Sequence, residues 1–230
     1  MPSPITHEYH YPGGPVTLEY QIGSAIPEAH VSRLSPFVHE VATSAPEATK
    51  SRLATKWARL SPAVKPIAAH LLEMDVCSVI FTGSNEGTSP SWVVFRNESG
   101  AQWMLGEPAP ETAEELNCNW IDEVSGLRSL VTEFGALQVG MIPPCTGFHV
   151  GRVVRESDRD LCWGPTGKWE GALPIYHDGS GCSVCVNPVG EVGIWSPGQF
   201  QDISPSFVEF VNMFVERQVT GGSPQSQWWW

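Results

Sequence analysis

Two cysteines separated by two residues, Cys182 and Cys185, have the most recognisable chemical spacing in this sequence. Such a pair occurs in zinc sites and in redox-active thiol pairs. A zinc site needs about four ligands, and the nearest further candidates are Cys162, His177 and His149. Residues three apart on a strand point to opposite faces. Packed cysteines are therefore the favoured interpretation, with a metal site and a redox pair as alternatives.

His177 and Asp178 form a second pair of residue types that take part in catalysis. A cysteine nucleophile needs a histidine base and a third group that orients that base. Neighbours on a strand point apart, so these two side chains do not converge on one cysteine. An Asp-Gly pair is more simply a turn, because aspartate bonds to its own backbone there. We predict no catalytic residue, no bound metal and no cofactor; a cysteine-dependent enzyme and a small zinc-binding protein stay as alternatives.

Tryptophans lie beside acidic residues in the stretch that leads to Glu170. Tryptophan and tyrosine contribute much of the binding energy at interfaces, so this mixture is typical of a binding surface. It predicts a partner-binding site formed by Asp158, Asp160, Trp163, Trp169, Glu170 and Asp178. The alternative for each tryptophan is packing against a sheet.

The formal net charge of −12 is concentrated in one part of the chain. Residues 1–70 hold 5 acids and 6 bases, whereas residues 71–230 hold 20 acids and 7 bases, a net charge of −13. An acidic surface repels nucleic-acid phosphates and anionic membranes, and it steers basic proteins. The predicted partner is therefore a protein, and not a nucleic acid or a membrane. The alternative is that the charge serves solubility alone.

The cysteine content and the N-terminus bear on the cellular compartment. The first 15 residues have no basic start followed by an apolar run, and no stretch approaches the roughly 20 apolar residues that cross a bilayer. Six scattered cysteines without a secretory leader favour free thiols in a reducing compartment. We therefore expect a cytoplasmic protein, whose oligomeric state the sequence does not predict.

The elements that must position these residues follow from hydrophobic period and turn residues. Proline-broken helices are predicted at about 27–41, 45–60 and 62–74, after an arm with one strand at Val16–Ile22. Strands are then predicted at Val76–Thr82, Ser91–Asn97 and Ala101–Leu105.

The second half is predicted to hold two helices and a β-rich region between them. One helix spans Leu116–Phe134, and the other begins with Ser204 as its N-cap and Pro205 in its first turn. Strands are predicted between them at Leu137–Met141, Phe148–Val154, Glu170–Tyr176, Ser183–Asn187 and Glu191–Ser196.

Four short motifs follow one another in the last third of the chain: Phe-Gly-Ala-Leu from Phe134, Leu-Pro-Ile-Tyr-His-Asp-Gly-Ser-Gly from Leu173, Val-Gly-Ile-Trp from Val192 and a Ser-Pro-Ser-Phe-Val-Glu-Phe-Val helix from Ser204. Their order resembles the SUKH superfamily, which comprises bacterial immunity proteins and fungal cell-wall regulators. The resemblance covers about residues 120–217. The chain departs from the family at Ala136, where a second glycine is usual. It also departs at Cys182 and Cys185, which stand where the family has an ordinary strand.

The resemblance implies an α+β fold, with an antiparallel β-sheet packed by helices. With it we predict a helical N-terminal extension at 1–74, a SUKH-like domain at 75–220 and a flexible tail at 221–230. It also implies a non-catalytic protein-binding module, most concretely an immunity-type protein that neutralises a basic toxin by binding it. The alternative within the family is a structural or regulatory adaptor.

Overall fold

The chain adopts an α+β fold in which antiparallel strands are packed by helices, as the sequence predicts. A computed structural model describes residues 5–9, 16–82, 90–107, 118–140, 147–148, 167–177, 182–196, 199–204 and 206–219. The helices in these ranges are α1 (Glu28–Val31), α2 (Pro36–Ala42), α3 (Pro46–Trp57), α4 (Lys65–Glu73), α5 (Leu127–Phe134) and α6 (Phe207–Val219). The strands are β1 (Ile5–Tyr9), β2 (Thr17–Gln21), β3 (Asp75–Thr82), β4 (Ser91–Arg96), β5 (Gln102–Gly106), β6 (Leu137–Val139), β7 (Gly147–Phe148), β8 (Leu173–His177), β9 (Ser183–Val186), β10 (Val192–Ser196) and β11 (Gln199–Ser204).

The chain divides into two compact units, each assembled from separate stretches of sequence. The first unit falls within Met1–Arg59, His70–Glu107 and Leu137–Cys145, and the second within Leu60–Ala69, Pro108–Ala136 and Thr146–Trp230. Strand β2 pairs with β3 in the first unit. The predicted boundary at residue 74 falls between these two strands, so the observed division follows spatial contact and not chain order.

Neighbouring strands of the first unit bury apolar side chains against one another. In the antiparallel ladder from β1 to β6, Val79 of β3 lies opposite Tyr20 of β2 and Val93 of β4, and all three side chains are fully buried. Helices α2 and α3 contact β3, and α3 buries Leu53 and Trp57 one turn apart. The i, i+4 spacing of those two residues therefore places the apolar stripe of α3 inward.

The single helix predicted at 27–41 is wrong, because the chain forms two helices there. Ser35 is extended, with φ −63° and ψ 154°, and Pro36 begins α2. A proline lacks the N–H that an ongoing helix needs, but it is tolerated in the first turn. The backbone N–H of Val38 donates to Ser35 Oγ at 3.5 Å, so Ser35 is the N-cap of the new helix.

A buried histidine in α4 makes the stability of the first unit depend on pH. His70 packs edge-on against Trp103, with ring centroids 4.6 Å apart. Burial lowers the pKa of His70 from its usual value, because the imidazolium loses its hydration, and a smaller opposing effect comes from Glu73. As the pH falls, His70 of the unfolded chain therefore binds a proton near pH 6.5, whereas His70 of the native protein binds it only at a lower pH.

We expect acid to destabilise the protein less when His70 is replaced by phenylalanine. The unfolded state binds more protons once the pH falls below about 6.5, so the free energy of unfolding decreases until the lowered native pKa is passed. His70→Phe removes this titration and keeps a ring beside Trp103. Urea denaturation at pH 7.5 and 5.0 measures the difference; equal losses in both proteins would contradict the assignment.

The second unit is built on an antiparallel ladder from β7 to β11, with α6 packed on β11. Phe148 and Tyr176 lie opposite each other in β7 and β8, and both rings meet Phe214 of α6. The centroids in this cluster are 4.9 to 5.8 Å apart with the planes inclined, as aromatic rings prefer. The apolar face of α6 is thereby fixed to the sheet.

Helix α5 begins at Leu127, eleven residues later than the predicted start at Leu116. Gly126 has φ +85°, a left-handed conformation that glycine adopts readily and that a helix interior excludes. A Cβ at this position would lie 2.5 Å from the Cβ of Ala63. Apolar residues at helical spacing are also found before the start of α5, because Cys118, Trp120 and Val124 are buried although they lie in turns and bends.

The end of the second unit contains a strand that the sequence does not predict. Strand β11 is rich in polar residues, yet it pairs with β10 throughout, with Trp195 opposite Phe200. Helix α6 therefore begins at Phe207, and the backbone N–H of Glu209 donates to Ser206 Oγ at 3.2 Å. The cap is Ser206 and not the predicted Ser204.

No helix in the described ranges has both the length and the apolar character needed to span a bilayer.

Candidate partner-binding surface

The structure places two of the six predicted partner-binding residues, Trp169 and Glu170. Both lie in the second unit, at the end of a short 3-10 helix formed by Gly167–Trp169. The other four, Asp158, Asp160, Trp163 and Asp178, lie outside the described residues.

Trp169 is a core residue, and its predicted contact with a partner is corrected here. Its side chain is only 5% exposed and packs with Ala172 and Cys185, against which Trp195 is partly buried. Gly193 of β10 lies so close to the indole that a Cβ there would be 2.4 and 2.5 Å from two ring carbons. The ring therefore fills a space that a glycine provides, and its burial leaves a partner almost no surface to contact.

Lys168 links the short helix to β11 and to the residue that precedes β10. Its Nζ donates to Asp202 Oδ2 of β11 at 2.7 Å and lies 3.1 Å from Glu191 Oε2. The same ammonium lies 5.4 Å from the ring centroid of Trp169, within the range of a cation–π contact. The hydrogen bonds to Asp202 and then Glu191 raise the pKa of Lys168, so this lysine stays charged at neutral pH.

A tight turn between β9 and β10 is held by the buried side chain of Asn187. Its Oδ1 accepts from the backbone N–H groups of Val189 at 3.2 Å and Glu191 at 2.9 Å, and its Nδ2 donates to Glu191 Oε2 at 2.9 Å. The N–H of Phe207 donates to the Gly190 carbonyl at 2.7 Å, which ties the turn to the start of α6. This frame presents Val189, which is 79% exposed, to solvent.

Two further acids precede Val124, a residue that packs near this turn. Gly190 faces Val124, with 3.5 Å between the site of its missing Cβ and a Val124 methyl group. The neighbouring Asp122 and Glu123 are exposed. Asp122 accepts from both Nε and Nη2 of Arg128, and these bonds lower its pKa. Asp122 is therefore ionised over the physiological range.

We call the exposed or half-buried acids Glu170, Glu191 and Asp202 the acidic rim. Together with Lys168 they carry a formal net charge of −2. Glu170 follows Lys168 by two residues on the same turn, whereas the other two reach Lys168 across the fold. All three carboxylates can accept hydrogen bonds from lysine and arginine side chains of a partner.

Sequence reasoning selected Glu170 and missed the other two acids of the rim. Asp202 lies on the unpredicted strand β11, and Glu191 is the first residue of the strand predicted at Glu191–Ser196, which assigns no role to its side chain. The available signal was the Asn-Pro-Val-Gly-Glu stretch from Asn187, whose asparagine is a typical turn residue.

Two of the thiols described by the structure, those of Cys118 and Cys185, are poor nucleophiles. Cys185 is fully buried in β9, and burial raises its pKa to about 12. Burial likewise raises the pKa of Cys118 to about 11. Both stay protonated at neutral pH, and the reactive species of a cysteine is the thiolate. Cys185 is packed, as the favoured interpretation predicts, and Cys182 is half-buried just before the strand.

Within the described ranges, no group of three or more histidine, cysteine, aspartate or glutamate side chains is placed to hold a metal ion. Comparison of the chain with protein-family models, with curated proteins and with solved structures gave no match.

Proposed function

We propose that this chain is a non-catalytic protein-binding module that acts in the cytoplasm. Its most concrete role is that of an immunity-type protein that binds and neutralises a basic toxin. The acidic rim is the part of the described surface that makes the first contacts with this partner.

The charge of the second unit is the observation that supports this proposal. The three stretches that form this unit hold 15 acids and 7 bases, a net charge of −8. Lys168 holds two of the rim acids, Glu191 and Asp202, in place, and such preorganised groups lose little entropy on binding. An acidic surface accelerates association with a basic protein, by a factor that falls as salt is added.

The burial of Cys185 also favours binding over cysteine chemistry. Cys185, the cysteine of the Cys-x-x-Cys pair that lies on a strand, is inside the core of the second unit. A cysteine-dependent enzyme would need a thiolate that a substrate can reach.

We expect affinity capture with the tagged protein at low salt to recover a basic protein that is released at high salt. The captured protein is then produced alone and together with the present chain. We expect the captured protein to arrest cell growth when it is produced alone, and to be harmless when it is produced together with the present chain. A partner that is not toxic would contradict the immunity role.

Charge reversal tests whether the acidic rim makes the contact. Glu170→Lys is expected to weaken binding of the captured protein about tenfold, mainly by slowing association at low salt. The matched control is Glu98→Lys, which changes an exposed glutamate of the first unit by the same charge. Surface plasmon resonance measures both. Equal weakening by the two variants would show that only net charge matters and would remove the rim from the proposal.

A further inference from the structure

Two large apolar side chains are exposed in the described ranges, and both belong to the second unit. Val189 is 79% exposed in the turn between β9 and β10, and Val208 is 38% exposed in the first turn of α6. We call these two residues the valine pair. A single exposed valine is ordinary on a protein surface, but these two adjoin the same hydrogen bond, and neither is part of the acidic rim.

Local structure does not require a valine at either position. Residues 187–190 form a turn that the N–H of Gly190 closes on the carbonyl of Asn187 at 2.9 Å. Such turns favour glycine, proline, asparagine, aspartate and serine. Val208 lies on the surface of a helix, where alanine and straight-chain residues are preferred to β-branched ones. Both valines leave apolar surface in water, which is unfavourable unless a partner covers it.

One hydrogen bond keeps the valine pair within a single patch of surface. The N–H of Phe207 donates to the carbonyl of Gly190 at 2.7 Å, and each valine is the chain neighbour of one of these two residues. Standard bond lengths then keep the Cα atoms of Val189 and Val208 within about 14 Å of each other. An interface of ordinary size removes roughly 800 Å² from each partner, so one partner can cover both side chains.

The backbone that carries the valine pair is fixed before a partner arrives. Asn187 is fully buried and accepts from the N–H of Val189 at 3.2 Å, and Phe207, which precedes Val208, is only 1% exposed. A valine side chain is also stiff, because its branched Cβ restricts the single torsion. Binding through these residues therefore costs little conformational entropy.

Carboxylates border both members of the valine pair. Glu191 follows Val189 by two positions, and the ammonium of Lys168, 3.1 Å away, balances its charge in part. Glu209 follows Val208 directly and is exposed. An apolar centre surrounded by polar and charged residues is the usual composition of a protein interface. The negative charge favours a partner whose apolar surface is bordered by lysine or arginine.

We propose that the valine pair is the apolar anchor of the interface with the basic protein partner, and that it enters an apolar pocket bordered by lysine or arginine side chains. This assignment rests on the proposed function, because it takes the same partner. It adds the contact that holds the complex together once the acidic rim has accelerated association. Buried contacts of this kind act mainly on dissociation, whereas exposed charges act mainly on association.

Photo-cross-linking tests whether a partner covers the valine pair. Benzoylphenylalanine is introduced separately at Val189, at Val208 and at Glu98, an exposed residue of the first unit, and each protein is irradiated in an extract of the source cells. We expect the two valine positions to give an adduct with the same basic protein, and Glu98 to give none. An acidic partner, an adduct with a second copy of this chain, equal adducts at all three positions, or no adduct at the valine pair would overturn the proposal.

The variant Val189→Ala measures the contribution of the contact. It removes two carbon atoms, and we expect it to weaken binding of the cross-linked protein about tenfold. The dissociation rate should rise equally at low and high salt, because no charge changes. The thermal midpoint of the free variant should be unchanged, since Val189 is 79% exposed.

Thr55→Ala is the matched control, because it shortens an exposed β-branched residue of the first unit. It should leave the dissociation rate within a factor of about two, as is usual for a residue outside an interface. Surface plasmon resonance measures both variants. Equal effects of the two, or an effect of Val189→Ala that disappears at high salt, would overturn the proposal.

Different results would contradict the immunity role and the apolar anchor. A basic protein that cross-links through Val189 but does not arrest growth would contradict the immunity role and leave the anchor in place. A basic toxin that dissociates at the same rate from Val189→Ala as from the unchanged protein would leave the immunity role in place and overturn the anchor.

Discussion

Replacement of Gly193 by alanine is expected to lower the free energy of unfolding by about 3 kcal/mol, the upper end of the usual range for overpacking. The new methyl group would lie within 2.5 Å of two carbons of the Trp169 ring and 3.0 Å from the carbonyl oxygen of Gln201. The ring cannot easily move, because it is packed against Ala172 and Cys185. Urea denaturation followed by circular dichroism measures the loss as a shift in the midpoint.

A double-mutant cycle shows whether the clash is with Trp169. Trp169→Leu alone should cost about 3 kcal/mol, because it leaves a cavity in the core. In the Trp169→Leu background, Gly193→Ala should cost at least about 2 kcal/mol less than it does alone, since the methyl group enters that cavity. Simple additivity of the two single losses would contradict the contact.

Replacement of Arg96 by methionine is expected to cost about 4 kcal/mol, because it leaves the carboxylate of Glu19 buried without its cation. Glu19 is 0% exposed and accepts from Arg96 Nη2 at 2.6 Å and from Ser78 Oγ at 2.5 Å. Methionine keeps the apolar stem of arginine, so the loss reports the charge and its hydrogen bonds. Urea denaturation of the purified variant measures it.

Arg128→Met is the matched control for this prediction. Arg128 binds Asp122 through two nitrogens, but both side chains are well exposed, and exposed ion pairs contribute little to stability. Its loss should cost less than about 1 kcal/mol. Glu19→Gln in the Arg96→Met background should restore at least about 2 kcal/mol, because a neutral amide buried beside Ser78 costs less than an ion. Equal small losses in the two arginine variants would mean that the buried carboxylate does not need Arg96.

Local patterns in the sequence predict the elements whose side chains alternate clearly. The Val-Cys-Ser-Val-Ile-Phe-Thr run predicts β3 to within one residue, and the helix predicted at about 45–60 is α3, which begins at Pro46. Strand β11 is missed because its residues are polar, and its place in the sheet depends on pairing with β10. Such pairing is set by tertiary context and not by intrinsic preference.

The surface residues are harder to predict because their roles depend on distant partners. Trp169 has a sequence environment typical of a binding residue, and only the space left by Gly193, 24 positions later, shows that the ring turns inward. Lys168 finds Asp202 across 34 positions of sequence. Contacts between residues so far apart in sequence leave no trace in a periodic pattern. Charge and composition therefore predict that the surface is acidic, but they do not predict where its acids lie.

The interleaved ranges of the two units have a consequence for the order in which the protein is made. Thr17 of β2 pairs with Thr82 of β3, which is synthesised 65 residues later. Trp103 of β5 pairs with Val139 of β6, 36 residues later. Each pairing requires the closure of a long loop, and the entropy cost of this closure comes before the favourable contacts between the strands. Because α5 precedes β6 in the chain, the ribosome synthesises a helix of the second unit before it synthesises β6 of the first unit.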